Sequence, residues 1–271
     1  MFSKLTSLTD AAQLIQDNQI ISLSGNALHR NPAAFARELA GLKRKNLKIL
    51  GAAHGYAADI LCAVGSVAEI YFGFCGFENE YGLAPGIRKS IQEGTTKAVE
   101  GSCTAMIASL RGASYGLPFM GVGGLWGSDL VKTLPDFYRV MKSPFDETEV
   151  VCVKAIQPDW AIIHVQEADE YGNARILASE YQDILYTRAA KKTIITTEKI
   201  VSTAELQKEP KLTSIPHFLV EAVVLVPEGA KPGICYPDYE TVDDRTMKSY
   251  INAVKNNTVD EYLQKQTQGG V

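Results

Sequence analysis

The stretch Ile20 to Arg37, IISLSGNALHRNPAAFAR, reads as strand, loop and helix. Ile20-Ile21-Ser22-Leu23 is a short apolar, β-branched run. Ser24 to Arg30 is a polar loop with one glycine. Asn31-Pro32 then predicts a helix start: the Asn side chain can accept from the first free N–H groups, and proline lacks an N–H that would go unused there. A strand, a small-residue loop and a helix N-terminus in succession gather unpaired N–H groups at one point, which suits an anion or a developing oxyanion. An ordinary βα turn is the plainer reading of the same residues.

The pattern repeats outward from there. Ser7 to Asp10 has the spacing of a capping box and predicts a short helix through about Gln16. After Ile20 come a helix with Phe35, Leu39 and Leu42 on one stripe, a strand over Leu47 to Ala52, a helix from Tyr56 to Val64 and a strand over Glu69 to Phe74. Such β, α, β, α, β alternation is the signature of an open, mostly parallel α/β sheet with helices on both faces. Helices are expected from Pro85, stopped at Gly94, and over Ser102 to Tyr115. Strands are expected over Val150 to Ala155, Trp160 to Gln166, Thr193 to Thr197 and Glu221 to Val226, and helices over Tyr181 to Ala190 and from Ser202. A polar helical tail runs from Asp243 to Gln266, apolar at Tyr250, Val254 and Tyr262, with fraying from Gln268 onward. No repeat or linker divides residues 1–271, and the weak break near Ser143 opens the second half of a single domain.

Bulk properties narrow the function. The chain has 271 residues, 46% of them apolar, and a net charge of -4, without a large basic block. Nucleic acid and anionic membranes are poor partners for such a chain. The five cysteines are scattered, odd in number and without a CxxC, which argues against disulfides and structural zinc and for a reducing cytoplasm. No signal peptide and no membrane span is legible.

The chemistry-bearing residues are few. Of four histidines, His164 lies inside an apolar strand and reads as a core residue with a backbone partner, while His29 and His54 fall at strand C-terminal ends, where open α/β sheets bind ligands. Glu78 and Glu80 sit in a loop with little other charge. Two shielded like charges raise one another's pKa and make poised acids, although two solvated carboxylates are the simpler reading. Cys75 and Cys103 have no basic partner in sequence and read as inert thiols. Gly121-Val122-Gly123-Gly124-Leu125-Trp126-Gly127-Ser128-Asp129 is neither a P-loop nor a dinucleotide fingerprint, which needs a preceding strand and GxGxxG spacing.

Taken together and in order, these stretches resemble family I coenzyme A transferases. The resemblance is carried by Leu23 to Asn26 with Arg30 to Pro32, by Glu78 to Gly82 with Arg88-Lys89, and by Leu117-Pro118-Phe119. It continues through Asp159 to Gln166 with Ala168 and Gly172-Asn173, Ala222 to Pro227 with Gly229-Ala230, and Cys235-Tyr236. It is nearest to the A (alpha) subunit of the glutaconate-type members. It implies the open-sheet fold of that family, a partner B (beta) subunit in a heterodimer or heterotetramer, and coenzyme A entering as an acyl-CoA substrate with no permanently bound cofactor or metal. It implies ping-pong transfer through a glutamyl-CoA thioester whose glutamate belongs to the B subunit. On this chain Gly25, Asn26 and Glu78 become the candidate catalytic residues, the first two as oxyanion donors. Ser24, Ala27, His29, Arg30, His54, Glu80, Gly123, Gly124 and Ser128 become the candidate substrate-binding set. Where the family commonly reads Gly-Gly-Phe, this chain reads Ser24-Gly25-Asn26. The same scaffold also implies two other reactions, ring-opening hydrolysis of a CoA thioester and decarboxylation of glutaconyl-CoA. Outside the resemblance, the strand-end loop alone would also suit a non-catalytic anion- or nucleotide-binding subunit.

Overall fold

The computed structural model describes residues 2–268. In chain order the longer strands are β1 (Ile20–Leu23), β2 (Leu47–Leu50), β3 (Val67–Phe72), β4 (Lys97–Glu100), β5 (Phe119–Val122), β6 (Tyr138–Lys142), β7 (Glu149–Lys154), β8 (Trp160–Ala168), β9 (Lys192–Ile200) and β10 (Val220–Leu225). The main helices are α1 (Leu8–Gln13), α2 (Ala33–Gly41), α3 (Tyr56–Ala63), α4 (Pro85–Gln92), α5 (Cys103–Ser114), α6 (Asp183–Ala189), α7 (Thr203–Lys208), α8 (Asp244–Asn256) and α9 (Val259–Gln268).

The main sheet has the order β10-β9-β8-β1-β2-β3-β4, with parallel neighbours throughout. Ala174–Arg175 adds a short antiparallel pair at the end of β8. The central strands β1, β8 and β9 are covered on both faces, so they are near-continuous buried runs rather than alternating ones. Ile162 and Ile194 join the core under α2, α3 and α8, whereas their neighbours Ile163 and Ile195 join the core under α5 and α6. β1 lies where the chain reverses its direction across the sheet. From β1 the strands step outward to β4; the chain then returns to lay β8 on the other side of β1. Loops leaving β1 and β8 therefore diverge, and a crevice opens at their C-terminal ends.

Several expectations needed correction. β5, β7 and β6 form a separate antiparallel sheet, an excursion from the parallel one, so the expected strand near Val150 is not part of the main layer. Ser143 lies in the turn between β6 and β7, with its N–H on the Thr148 carbonyl, rather than at the start of a second half. A strand does precede Gly123, but it belongs to the excursion, and only the single turn Leu130–Thr133 follows. The polar tail is two helices rather than one, because Asn257 takes a left-handed conformation at φ 60°. Its three apolar marks, Tyr250, Val254 and Tyr262, are all buried. Gln268, where fraying was expected to begin, is instead the last residue of α9, and the positions after it lie outside the described residues. Among the described residues no helix is long and apolar enough to cross a membrane.

Candidate functional site

The loop after β1 stands at the crevice and is held by a turn of its own and by bonds to β8, α6 and Ile234. Ser24 continues the ladder, its N–H on the Ile162 carbonyl at 3.0 Å. Its buried hydroxyl donates to the Arg30 carbonyl and accepts from the His164 N–H, both at 2.9 Å. Gly25 has φ +85°, and a Cβ there would collide with the His29 carbonyl oxygen, so glycine is required on both counts. Asn26 and His29 exchange backbone bonds at 3.0 and 2.8 Å, closing a tight turn over Ala27 and Leu28, with Ala27 at φ 47°.

This geometry corrects the role expected of Gly25 and Asn26. The Gly25 N–H donates to Asp183 Oδ1 at 2.9 Å, and the Asn26 N–H is used inside the turn. Neither is available as an oxyanion donor. Among the described residues the N–H groups of Ala27 and Leu28 find no acceptor, and the partly exposed Asn26 amide has no hydrogen-bond partner.

Arg30 is corrected too. It is 2% exposed, and its guanidinium is held by protein groups at the wall of the cavity beside His29. Its guanidinium donates to Asp183 Oδ2 at 2.6 Å and to the carbonyls of His164 and Ser179, and it lies over the Tyr181 ring. Burial pushes the Asp183 carboxyl up, and Arg30 offsets only part of that. Asp183, in the first turn of α6, thus ties the loop to β8 and α6. Asn31 does not cap its own helix: its Oδ1 accepts from the Ala57 N–H at 3.1 Å, so it caps α3, while Pro32 stands at the α2 N-cap without a side-chain bond.

His29 and Glu78 meet. His29 Nε2 is 3.8 Å from Glu78 Oε1, both side chains are roughly half exposed, and His29 packs edge-on against Tyr181. Glu78 is not in an open loop: it opens the one-turn helix Glu78–Tyr81 at φ 60°. Glu80, on the same turn, is exposed and makes no hydrogen bond or ion pair among the described residues. Beside His29 lies a cavity of about 490 Å³ lined by Arg30, Ser179, Tyr181, Ile234, Tyr236 and Glu240. Gln166 braces its walls, donating to the Tyr236 carbonyl at 2.6 Å and accepting from the Leu177 N–H at 3.1 Å.

His54 does not line the crevice. It is 3% exposed, with Nε2 on the Tyr71 carbonyl at 2.9 Å. Burial lowers its pKa to about 4, only partly opposed by that backbone bond. The folded chain therefore keeps His54 neutral, while the unfolded chain takes up a proton below about pH 6.5. Its contribution to stability is complete above pH 6.5 and is lost as pH falls toward 4. The expected loss between pH 7.5 and pH 5 is about 2 kcal/mol. Urea unfolding of wild type and His54→Gln at both pH values checks this. The variant should lose less stability on acidification, and an equal loss in both would contradict the assignment.

Gly123, Gly124 and Ser128 sit on the excursion. Ser128 bonds within its own turn, to the Leu125 carbonyl and the Leu130 N–H, and the two glycines are exposed with no atom within 4 Å of a Cβ. The structure brings Ser24, Gly25, Asn26, Ala27, His29, Arg30 and Glu78 together, leaving these three, Glu80 and His54 outside the cluster.

His164 is buried as expected, but its partners are side chains: Thr196 Oγ1 at 2.9 Å and Glu198 Oε1 at 2.7 Å. Its distance from Cys235 and Glu198 would suit a metal. The Glu198 carboxylate, however, already meets His164, the Tyr239 hydroxyl and the N–H groups of Glu228 and Gly229, and so closes a hydrogen-bonded ring. Burial opposes ionisation of Glu198, yet these donors hold its carboxyl below the usual range. Cys75 is pushed up by burial, which fits an inert thiol.

Sequence reading missed Asp183, Tyr181, Ser179 and Tyr236. No spacing signal links Arg30 to a carboxylate 153 residues away; the only local hint for Asp183 is an acid in the first turn of a helix.

A crevice at the reversal point of an open parallel sheet, with a braced loop on one side and an apolar-walled cavity on the other, defines a small-ligand α/β subunit. The sequence model of the coenzyme A transferase family matches residues 5–225, and the chain belongs to that family. The A (alpha) subunit of glutaconate CoA-transferase from Acidaminococcus fermentans is 33% identical over 269 residues, which cover 93% of this chain and 84% of that protein. The crystal structure of glutaconate coenzyme A-transferase from the same organism matches with a TM-score of 0.90 at 31% identity, over 97% of this chain and 88% of that one. The decarboxylase AibA/AibB matches with a TM-score of 0.88 at 27% identity, over 98% and 100% of the two chains. An uncharacterized protein of Archaeoglobus fulgidus is 31% identical over 273 residues, and there the match takes in 99% of this chain but 60% of the relative's length.

Proposed function

We propose that the chain is the A (alpha) subunit of a heteromeric CoA transferase, working in the cytoplasm with a B-type partner to move CoA between carboxylic acids. The observation that carries this reading is the likeness to the alpha subunit of glutaconate CoA-transferase along nearly the whole chain, in sequence and in structure. The partner's glutamate carboxylate attacks the thioester carbonyl and CoA leaves as thiolate. The thiolate then attacks the glutamyl carbonyl of the mixed anhydride and releases the first acid. The resulting glutamyl-CoA thioester passes CoA to the acceptor acid by the same steps in reverse. CoA enters as substrate, and no resident cofactor is required.

In this reading the chain shapes the acyl side of the cleft. The partly exposed Asn26 side-chain amide supplies the donor for the thioester oxygen, in place of the Gly25 and Asn26 N–H groups. His29 with Glu78 forms the polar rim, and Tyr181, Ile234 and Tyr236 form the acyl wall. Five free thiols suit a reducing compartment.

The test is CoA exchange between an acyl-CoA and a labelled carboxylic acid, measured for the chain alone, for a B-type partner chain alone, and for the two together. Exchange is expected only from the pair. Turnover of the acyl-CoA by the pair without an acceptor acid, read as ring opening or as CO2 release with the thioester intact, would transfer the reading to a hydrolase or decarboxylase of the same scaffold. Ligand binding by the isolated chain with no turnover in any pairing would make it a non-catalytic binding protein.

A further inference from the structure

Where the excursion meets the main sheet there is a cavity of about 440 Å³, separate from the proposed acyl cleft. Its floor is the sheet face opposite α2 and α3, where Lys48, Glu69 and Lys97 stand in register across β2, β3 and β4. Its roof is the turn from Thr133 to Phe137, with Arg139 of β6 and Lys154 of β7. Lys48 and Lys97 lie near the starts of their strands, whereas the loop with Gly25 leaves the strand ends. The cavity and the proposed acyl cleft are therefore at opposite edges of the sheet.

Four cations face this cavity against two carboxylates, Glu69 and Asp136, in a chain whose net charge is -4. Glu69 is already engaged: Lys48 Nζ lies 3.2 Å from Oε1, and the Tyr71 hydroxyl donates to Oε2 at 2.6 Å. Among the described residues the side chains of Lys97, Arg139 and Lys154 have no hydrogen-bond acceptor and no carboxylate within ion-pair distance. Lys97, Arg139 and Lys154 are solvent-exposed, and three like charges lining one cavity favour the entry of an anion between them. An aromatic corner completes the lining, Tyr71 against Phe137 with ring centroids 5.5 Å apart at 63°. The volume falls in the range of small-ligand sites.

We propose that this cavity binds a phosphorylated ligand of nucleoside-diphosphate type, with its phosphates on Lys97, Arg139 and Lys154 and its base against Tyr71 and Phe137. Such a ligand bridges the excursion and the main sheet, since Lys97 belongs to one and Arg139 and Lys154 to the other. The chemistry is shared by a free nucleotide and by the nucleotide end of CoA.

Calorimetric titration of the full chain with ADP, with inorganic pyrophosphate and with CoA tests the proposal. The expected result is saturable ADP binding that weakens with salt, and at least tenfold weaker binding in an Arg139→Gln/Lys154→Gln double variant. A Lys208→Gln control, at a distant exposed ion pair, should bind as wild type. CoA that displaces ADP identifies the substrate's own nucleotide end as the occupant; CoA that does not displace it identifies a free nucleotide. No saturable ADP or pyrophosphate binding at millimolar concentration, or equal binding by the double variant, would overturn the proposal.

Discussion

Asp183→Ala will destabilise the chain by about 3–5 kcal/mol, the usual cost of leaving one member of a buried ion pair behind. The Arg30 guanidinium is 2% exposed and, among the described residues, has Asp183 as its one ion-pair partner. Its Nε already lacks an acceptor, so the site has no spare polar group to take over. Removing the carboxylate also strips the acceptor from the Gly25 N–H. Guanidinium unfolding measures the loss, and a change below about 1 kcal/mol would contradict it. An Arg30→Met/Asp183→Leu double variant should recover most of the stability, because apolar replacement of both partners is often close to neutral. The loop would still lack its anchor. The double variant should therefore fold well and remain slow in the paired enzyme, which separates the two jobs of this ion pair.

Gly25→Ala is expected to have the largest effect on activity. Two independent obstacles meet there, a positive φ and a backbone oxygen in the place a Cβ would occupy. Relief requires the Asn26–His29 turn to move, and with it the donor and rim groups assigned to the acyl cleft. A displacement of about 1 Å in a positioning element can cost roughly 100-fold in rate. The expected result is a fall of that order in kcat for the paired enzyme, with assembly intact on gel filtration. A variant that pairs and turns over at the wild-type rate would remove this loop from the site.

Much of the fold was legible because burial on both faces writes itself as apolar runs. The strands near Leu47, Trp160, Thr193 and Glu221 stand where such runs predict them, and Ser7 and Ser202 cap their helices through side chains that accept from Asp10 and Glu205 N–H groups. What was missed has the opposite character. β4, KAVE, lies at the sheet edge and buries only Val99; β6, YRVMK, buries only Tyr138. A strand that buries one side chain leaves no periodic signal. The break at Asn257 rests on one left-handed residue without a glycine or proline to announce it.

The candidate site was half legible, for a related reason. Its place at the end of β1 followed from the strand–loop–helix pattern and the family resemblance. The inward turn of Arg30 and the occupation of the Gly25 N–H did not, because both depend on Asp183, which is remote in sequence and brought near by the packing of α6 beside β8. A cation in a polar loop reads as a ligand group until its buried partner is known. His54 misled in the same way: a strand end suggests a cleft, but this residue turns back under Tyr71.

The most direct test of the account is to incubate the assembled enzyme with an acyl-CoA, trap with borohydride or hydroxylamine, and map the altered peptide by mass spectrometry. A modified glutamate on the B-type partner, and an unmodified Glu78 on this chain, is the predicted result. Modification of Glu78, or turnover with no trapped carboxylate on either chain, would contradict it.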